Sequence, residues 1–187
     1  RIFLDDVVVK DLKGNNLASI DKLRTSFDIG DLLEGNIHLV NIDLRDVEAN
    51  LIQYEGEDKF NFAFLAEAFG SDTLKEKESK PLAIAIDKIS LKNIDFVFWN
   101  QNKDHPEKTE RHLMDYLHLD LDSICLEARD FSMHGDSIFV RIDQLCAKEQ
   151  SGLVLKDFSS EVVFCSKGVF LDGLKMESNN SRFDSDL

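Results

Sequence analysis

The chain has 187 residues, 43% of them apolar and 31% charged, a balance that excludes both a disordered tail and a membrane-embedded bundle. Lys and Arg total 22 against 36 Asp and Glu, a net charge of −14, and so acidic a surface repels phosphate backbones, so nucleic-acid binding is not expected. Phe is the favoured aromatic, with 14 residues against one Trp and two Tyr; its large apolar area without a polar handle suits a dry interior or an apolar groove better than a polar active site.

In chain order, the pattern is one of strands. The chain opens directly in one, Arg1-Ile2-Phe3-Leu4, and reads as a segment of a longer protein. Ile2, Leu4, Val7, Val9 and Leu12 alternate with one slip of phase, and a second strand runs from Leu17 to Phe27. Gly30 to Gly35 reads as one helical turn, with Asp31 near its start and Gly35 at its end. Ile37 and Leu39 alternate, then Ile42 and Leu44, then Val47, Ala49 and Leu51, with a slip between the groups. Asn61 to Gly70 has a helical period, with Phe62, Leu65, Ala66 and Phe69 on one face, Asn61 as a cap and Gly70 as a stop. A polar loop spans Ser71 to Pro81. Ile84 and Ile86, Ile89 and Leu91, then Ile94, Phe96 and Phe98 repeat the slipped alternation, and a charged loop follows from Asn100 to Arg111. Leu119, Leu121, Ile124 and Leu126, later Phe131 and Met133, form another copy. Ile138 to Leu145 and Leu153 to Phe164 are further strands, and Val169, Leu171, Leu174 and Met176 end the series.

The copies at 37–51 and 84–98 match at every apolar position with one displacement, since 84 − 37 and 98 − 51 both equal 47. An internal repeat accounts for this better than chance. Alternation of period two sends successive side chains to opposite faces, so an inserted residue means a bulge, a bend or a tight turn. The bend keeps the apolar set on one side of a curving sheet. The positions between, such as His38, Asn41, Asp43, Arg45, Asp87, Lys88, Ser90 and Lys92, are polar. The expected fold is mainly β: one segment over 1–187, of long bent antiparallel strands curling into a groove-like sheet, with one or two short helices. Periodicity alone leaves open whether the apolar face is a closed sandwich core or an open groove.

Catalytic signals are weak, and no enzyme is expected. Cys125, Cys146 and Cys165 are odd in number and widely spaced, and read as free thiols, with one pair able to bridge in an oxidising compartment. His112 and His118 flank Asp115 at spacings that do not suit one helix face, and read as exposed or loop residues, so no metal site is assigned. Asp5 with Asp6, Asp120 with Asp122, and Asp184 with Asp186 read as a polar outer face. No phosphate-binding or nucleophile motif occurs, and no cofactor is expected.

Three stretches carry a resemblance. They are Leu17 to Leu23; Phe27-Asp28-Ile29-Gly30-Asp31-Leu32-Leu33-Glu34-Gly35; and Ile37 to Leu44, with its slip. Together they resemble the N-terminal periplasmic part of AsmA/TamB proteins. Phe60-Asn61-Phe62 resembles the Asn-Phe segment of that family. Lys148 to Leu153 with Leu155 and Phe158, and Leu174 to Ser178 with Ser181, resemble the TamB-like translocation and assembly modules of Bacteroidetes. The resemblance covers nearly the whole chain, through order and spacing of degenerate motifs. It implies a periplasmic segment of a parent anchored in the inner membrane, an apolar β-groove that takes phospholipid acyl chains, and work with an outer-membrane barrel assembly protein of the TamA type. The function it implies is phospholipid transport between the two membranes, outer-membrane protein assembly, or both. The groove-lining set would be Ile37, Leu39, Ile42, Leu44, Val47, Leu51, Ile84, Ile86, Ile89, Leu91, Ile94, Phe96 and Phe98. The alternative is a structural or adhesive β-sandwich module of the cell envelope.

Overall fold

The slipped alternations fold into strands that keep their slips. The computed structural model describes residues 1–27, 37–65, 83–105, 114–135 and 137–185. Among the described residues, nine strands follow one another: β1 (Ile2–Lys10), β2 (Asn16–Phe27), β3 (Ile37–Gln53), β4 (Ala83–Asn100), β5 (His118–His134), β6 (Ser137–Glu149), β7 (Val154–Cys165), β8 (Gly168–Ser178) and β9 (Arg182–Asp184). They form a single open sheet in chain order, from β1 at one edge to β9 at the other.

The expectation of antiparallel strands holds for every pair except one. β3 and β4 run parallel, from Ile37 beside Ile84 to Gln53 beside Asn100. These strands carry the two matching copies, and the constant displacement of 47 residues is their register. A parallel in-register pair sets like against like, so each slip in β3 faces the same slip in β4 and both strands bend together. Where a slip meets an unbroken stretch of the neighbouring strand, the register shifts instead, as between β4 and β5 at Leu91/Ile94 and Ile94/Phe96.

At six slips the backbone enters the left-handed region. Asp6, Asp46, Asn93, Ser123 and Asp130 have φ of 51–57°, and Gly173 has φ of 60°. Each falls between two apolar groups: Leu4 and Val7, Leu44 and Val47, Leu91 and Ile94, Leu121 and Ile124, Ala128 and Phe131, Leu171 and Leu174. Non-glycine residues resist this region, Asp and Asn least, which explains the residue types at four of the six. The bends are also tied together. Asn93 Nδ2 donates to Asp46 Oδ1 at 2.7 Å, and Asp95 Oδ1 accepts the Ser123 amide at 2.9 Å.

Polar side chains secure the turns. At the β1–β2 turn, Asp11 Oδ1 accepts the amides of Lys13 and Asn15 at 2.9 and 2.8 Å, and Gly14 takes φ of 84°. Tyr54 Oη donates to Asp11 Oδ2 at 2.5 Å. After β4, Asn102 Oδ1 accepts the Gly56 amide at 2.7 Å, which joins the turns beyond the two parallel strands.

Two expectations are corrected here. Asn61 is not a helix cap: its Oδ1 accepts the Ile52 amide at 2.9 Å and its Nδ2 donates to the Asn50 carbonyl at 2.9 Å, so it lies along β3 and is buried. Residues 63–65 are helical, while the rest of the expected helix to Gly70, the turn at 30–35 and the loop at 71–81 lie outside the described residues. The cysteines are not all free. Cys125 and Cys146 sit opposite one another on β5 and β6 and form a disulfide, with 5.1 Å between Cα atoms; Cys165 is free.

Two stability measurements test this scheme. Ser123→Gly removes a Cβ from a left-handed position while keeping the amide that bonds Asp95, and should stabilise the chain by about 0.5–1 kcal/mol in urea melts, whereas Ser123→Val should destabilise it by about 1–2 kcal/mol. Reducing the Cys125–Cys146 bridge, which closes a 21-residue separation, should cost about 2–4 kcal/mol in the same assay.

Candidate apolar groove

Side chains that pair across a ladder share a face, so the register builds rows that run across the strands. One row is leucine throughout: Leu4, Leu23, Leu44, Leu91, Leu126 and Leu145, on β1 to β6. At about 4.8 Å per strand it is roughly 24 Å long. Beside it lies Val7, Ile20, Val47, Ile94 and Ile124. The next row is Val9, Ala18, Ala49, Phe96 and Leu121, ending at Glu149.

Towards the other strand ends, Ile42, Ile89, Ala128 and Ile142 form a row, as do Phe27, Leu39, Ile86 and Phe131. Ile37, Ile84, Met133, Ile138, Phe164 and Val169 form another. All thirteen residues expected to line the groove fall in these rows or in the short row of Leu51, Phe98 and Leu119.

The slips keep these rows on one face. Leu121 and Ile124 flank the left-handed Ser123 yet line the same cleft, of about 290 Å³, with Met114, Leu145, Leu153 and Leu155. On the opposite face the polar residues between the apolar ones pair with each other. His38 meets Asp87 at 2.7 Å, and Arg45 holds Asp43 through Nε and Nη2 at 2.8 and 2.9 Å. Ser90 Oγ donates to Glu127 at 2.7 Å. Phe60 stacks on Phe98 with centroids 4.8 Å apart, so the segment after β3 covers that end of the apolar face.

Among the described residues, the face is not sealed. Of the thirteen, Val47, Ile86 and Ile94 are buried and the others are half-buried. A sandwich needs two facing sheets, and the described strands make one. Sequence reasoning missed how far the apolar track extends, because Leu23 and Leu145 join it only through register. It also missed Leu155, on β7, and Met114 and Leu153, which reach the cleft from outside the strands.

Glu149 ends one row and lines the cleft; three other carboxylates are set by their neighbours. The Arg45 guanidinium holds the Asp43 carboxyl below the usual carboxylate range. Burial pulls Asp11 upward, but the Tyr54 hydroxyl and the amides of Asn15 and Lys13 outweigh it and leave it low. Asp120 moves the other way: burial, then the charges of Asp122, Glu149 and Asp95, raise it.

The expected exposure of His118 is overturned. Its side chain is 1% exposed and its Nδ1 lies 2.6 Å from Asp115 Oδ2. His112 lies outside the described residues. The chain matches no protein-family model and no curated protein.

The raised Asp120 yields a signed prediction. A carboxylate whose pKa rises on folding costs stability above that pKa, and the cost is gone below its unfolded value. Asp120→Asn should therefore raise the urea midpoint at pH 7. The gain should fade on acidification and vanish below about pH 3.9, as melts across that range would record.

Proposed function

We propose that this chain is a periplasmic, lipid-conducting segment of a TamB/AsmA-like bridge that carries phospholipid between inner and outer membranes, contributes to outer-membrane protein assembly, or does both. The observation that carries the reading is the leucine row crossing six strands on a half-open face. Acyl chains leave water for such a face with little chemical specificity, at about 0.8 kcal/mol per buried CH₂. The headgroup stays in solvent, clear of a surface whose net charge is −14. Conduction by this route needs no bond-making step, only an unbroken apolar path.

Two further features support the reading. A disulfide between Cys125 and Cys146 suits an oxidising compartment such as the periplasm. Open edges at β1 and β9 suit a sheet that neighbouring segments of an anchored parent extend. The outer-membrane partner of the TamA type rests on the sequence resemblance.

Site-specific photocrosslinking to phospholipid tests the reading. A photoreactive residue in place of Leu44, Leu91 or Leu126 should label lipid acyl chains, and one in place of Lys92 or Asp87 on the polar face should not. Equal labelling of both faces, or none on the leucine row, overturns it. The double variant Leu91→Asp with Leu126→Asp should lower affinity for a fluorescent phospholipid at least about tenfold, since losing two methylene contacts costs about 1.6 kcal/mol.

A further inference from the structure

A second cluster stands apart from the apolar face, where β4 ends and β5 begins. His105 follows β4, Asp115 precedes β5, and His118 opens β5 beside Trp99. His118 Nδ1 lies 2.6 Å and His105 Nδ1 3.3 Å from the same carboxylate oxygen, Asp115 Oδ2. The other carboxylate oxygen accepts the Leu117 amide at 3.0 Å. His118 Nε2 faces the Asn100 carbonyl at 2.9 Å. Trp99 packs against both imidazoles, with centroids 4.6 Å from His118 and 5.0 Å from His105.

We propose that His105 Nδ1, Asp115 Oδ2 and His118 Nδ1 form a binding site for a borderline divalent cation of the zinc class. Among the described residues this is the group of three such side chains whose ligand atoms converge, all within 4.8 Å of one another. Two imidazoles and one carboxylate suit zinc and its neighbours, whereas magnesium and calcium favour all-oxygen sets. The surroundings of His118 are those of a metal ligand. A histidine that binds metal through one nitrogen commonly donates the other N–H to a backbone carbonyl, and the Asn100 carbonyl is placed to accept it. The Asp115 carboxylate is likewise steadied by the Leu117 amide.

The geometry needs small movements: the two imidazole nitrogens, within 4.8 Å of one another, draw together about the ion, and one contact opens. Tetrahedral zinc with ligands at about 2.0–2.1 Å holds them about 3.3 Å apart. His105 and Asp115 already stand at that distance. The His118–Asp115 contact must open by about 0.7 Å, a turn of the carboxylate about its anchored oxygen. Three protein ligands leave a position for water. The ion would tie His105, after β4, to Asp115 and His118 at the start of β5, and this inference does not depend on the lipid reading.

The test uses the whole chain, stripped with a chelator and titrated with zinc chloride and then cobalt chloride. One equivalent of zinc should bind saturably and change the fluorescence of Trp99, the single tryptophan. Cobalt should give the visible absorption of a four-coordinate site. His118 is too buried for its replacement to be read safely, so the variants are His105→Gln and Asp115→Asn, each checked for β content by circular dichroism. Both should weaken zinc binding about tenfold or more, while His134→Gln, at an exposed strand end, should not. Absence of saturable binding, or wild-type affinity in both variants, overturns the site and leaves the cluster as a hydrogen-bonded strut.

Discussion

The sheet depends on a conflict between chemistry and geometry within each long strand. A strand alternates faces, yet these strands carry apolar side chains three apart at their middles. The conflict is resolved by inserting a residue in the left-handed region, as at Asp46 and Asn93. The backbone then bends and the inserted residue joins the polar face. The leucine row, the rows beside it and the opposite face of ion pairs all follow from that device. Without it, the half of each strand beyond the slip would turn its apolar residues to water.

Register turns this local device into a shape. When strands carry their bends at matching depths, the bends line up and the sheet curls about one line instead of buckling at scattered points. The bond from Asn93 to Asp46 fixes that match at the parallel pair. Other strands meet the line less regularly. β5 has two left-handed residues, Ser123 and Asp130, and its ladder to β6 shifts at both. The long central strands therefore set the curl and the outer ones adjust to it.

What the sequence revealed follows the range of the interaction concerned. The strands, their slips and the displacement of 47 residues were legible because each is a pattern of neighbours along the chain. The parallel direction of β3 and β4 was not, although the matching copies contained it, since a repeat does not say how its copies lie. The bond between Cys125 and Cys146 and the approach of His105 to His118 escaped for a related reason: each joins residues whose proximity depends on a register or a turn. Asn61 misled because its side chain can bond a helix's first turn or a strand's edge with the same atoms. At the candidate groove, the residues of the repeat were found and their extension through Leu23 and Leu145 was not.

The parallel pair also bears on the order in which the chain can fold. β1 to β3 are joined to each other locally, and so are β4 to β9. Both are meanders of antiparallel neighbours whose contacts close short spans of chain. The contact between β3 and β4 spans residues 54–82 and has no hairpin to bring it about. Contacts that close longer loops form against a larger entropic cost. Loop closure therefore costs most at the seam between β3 and β4, and that seam lies where the two copies of the repeat meet.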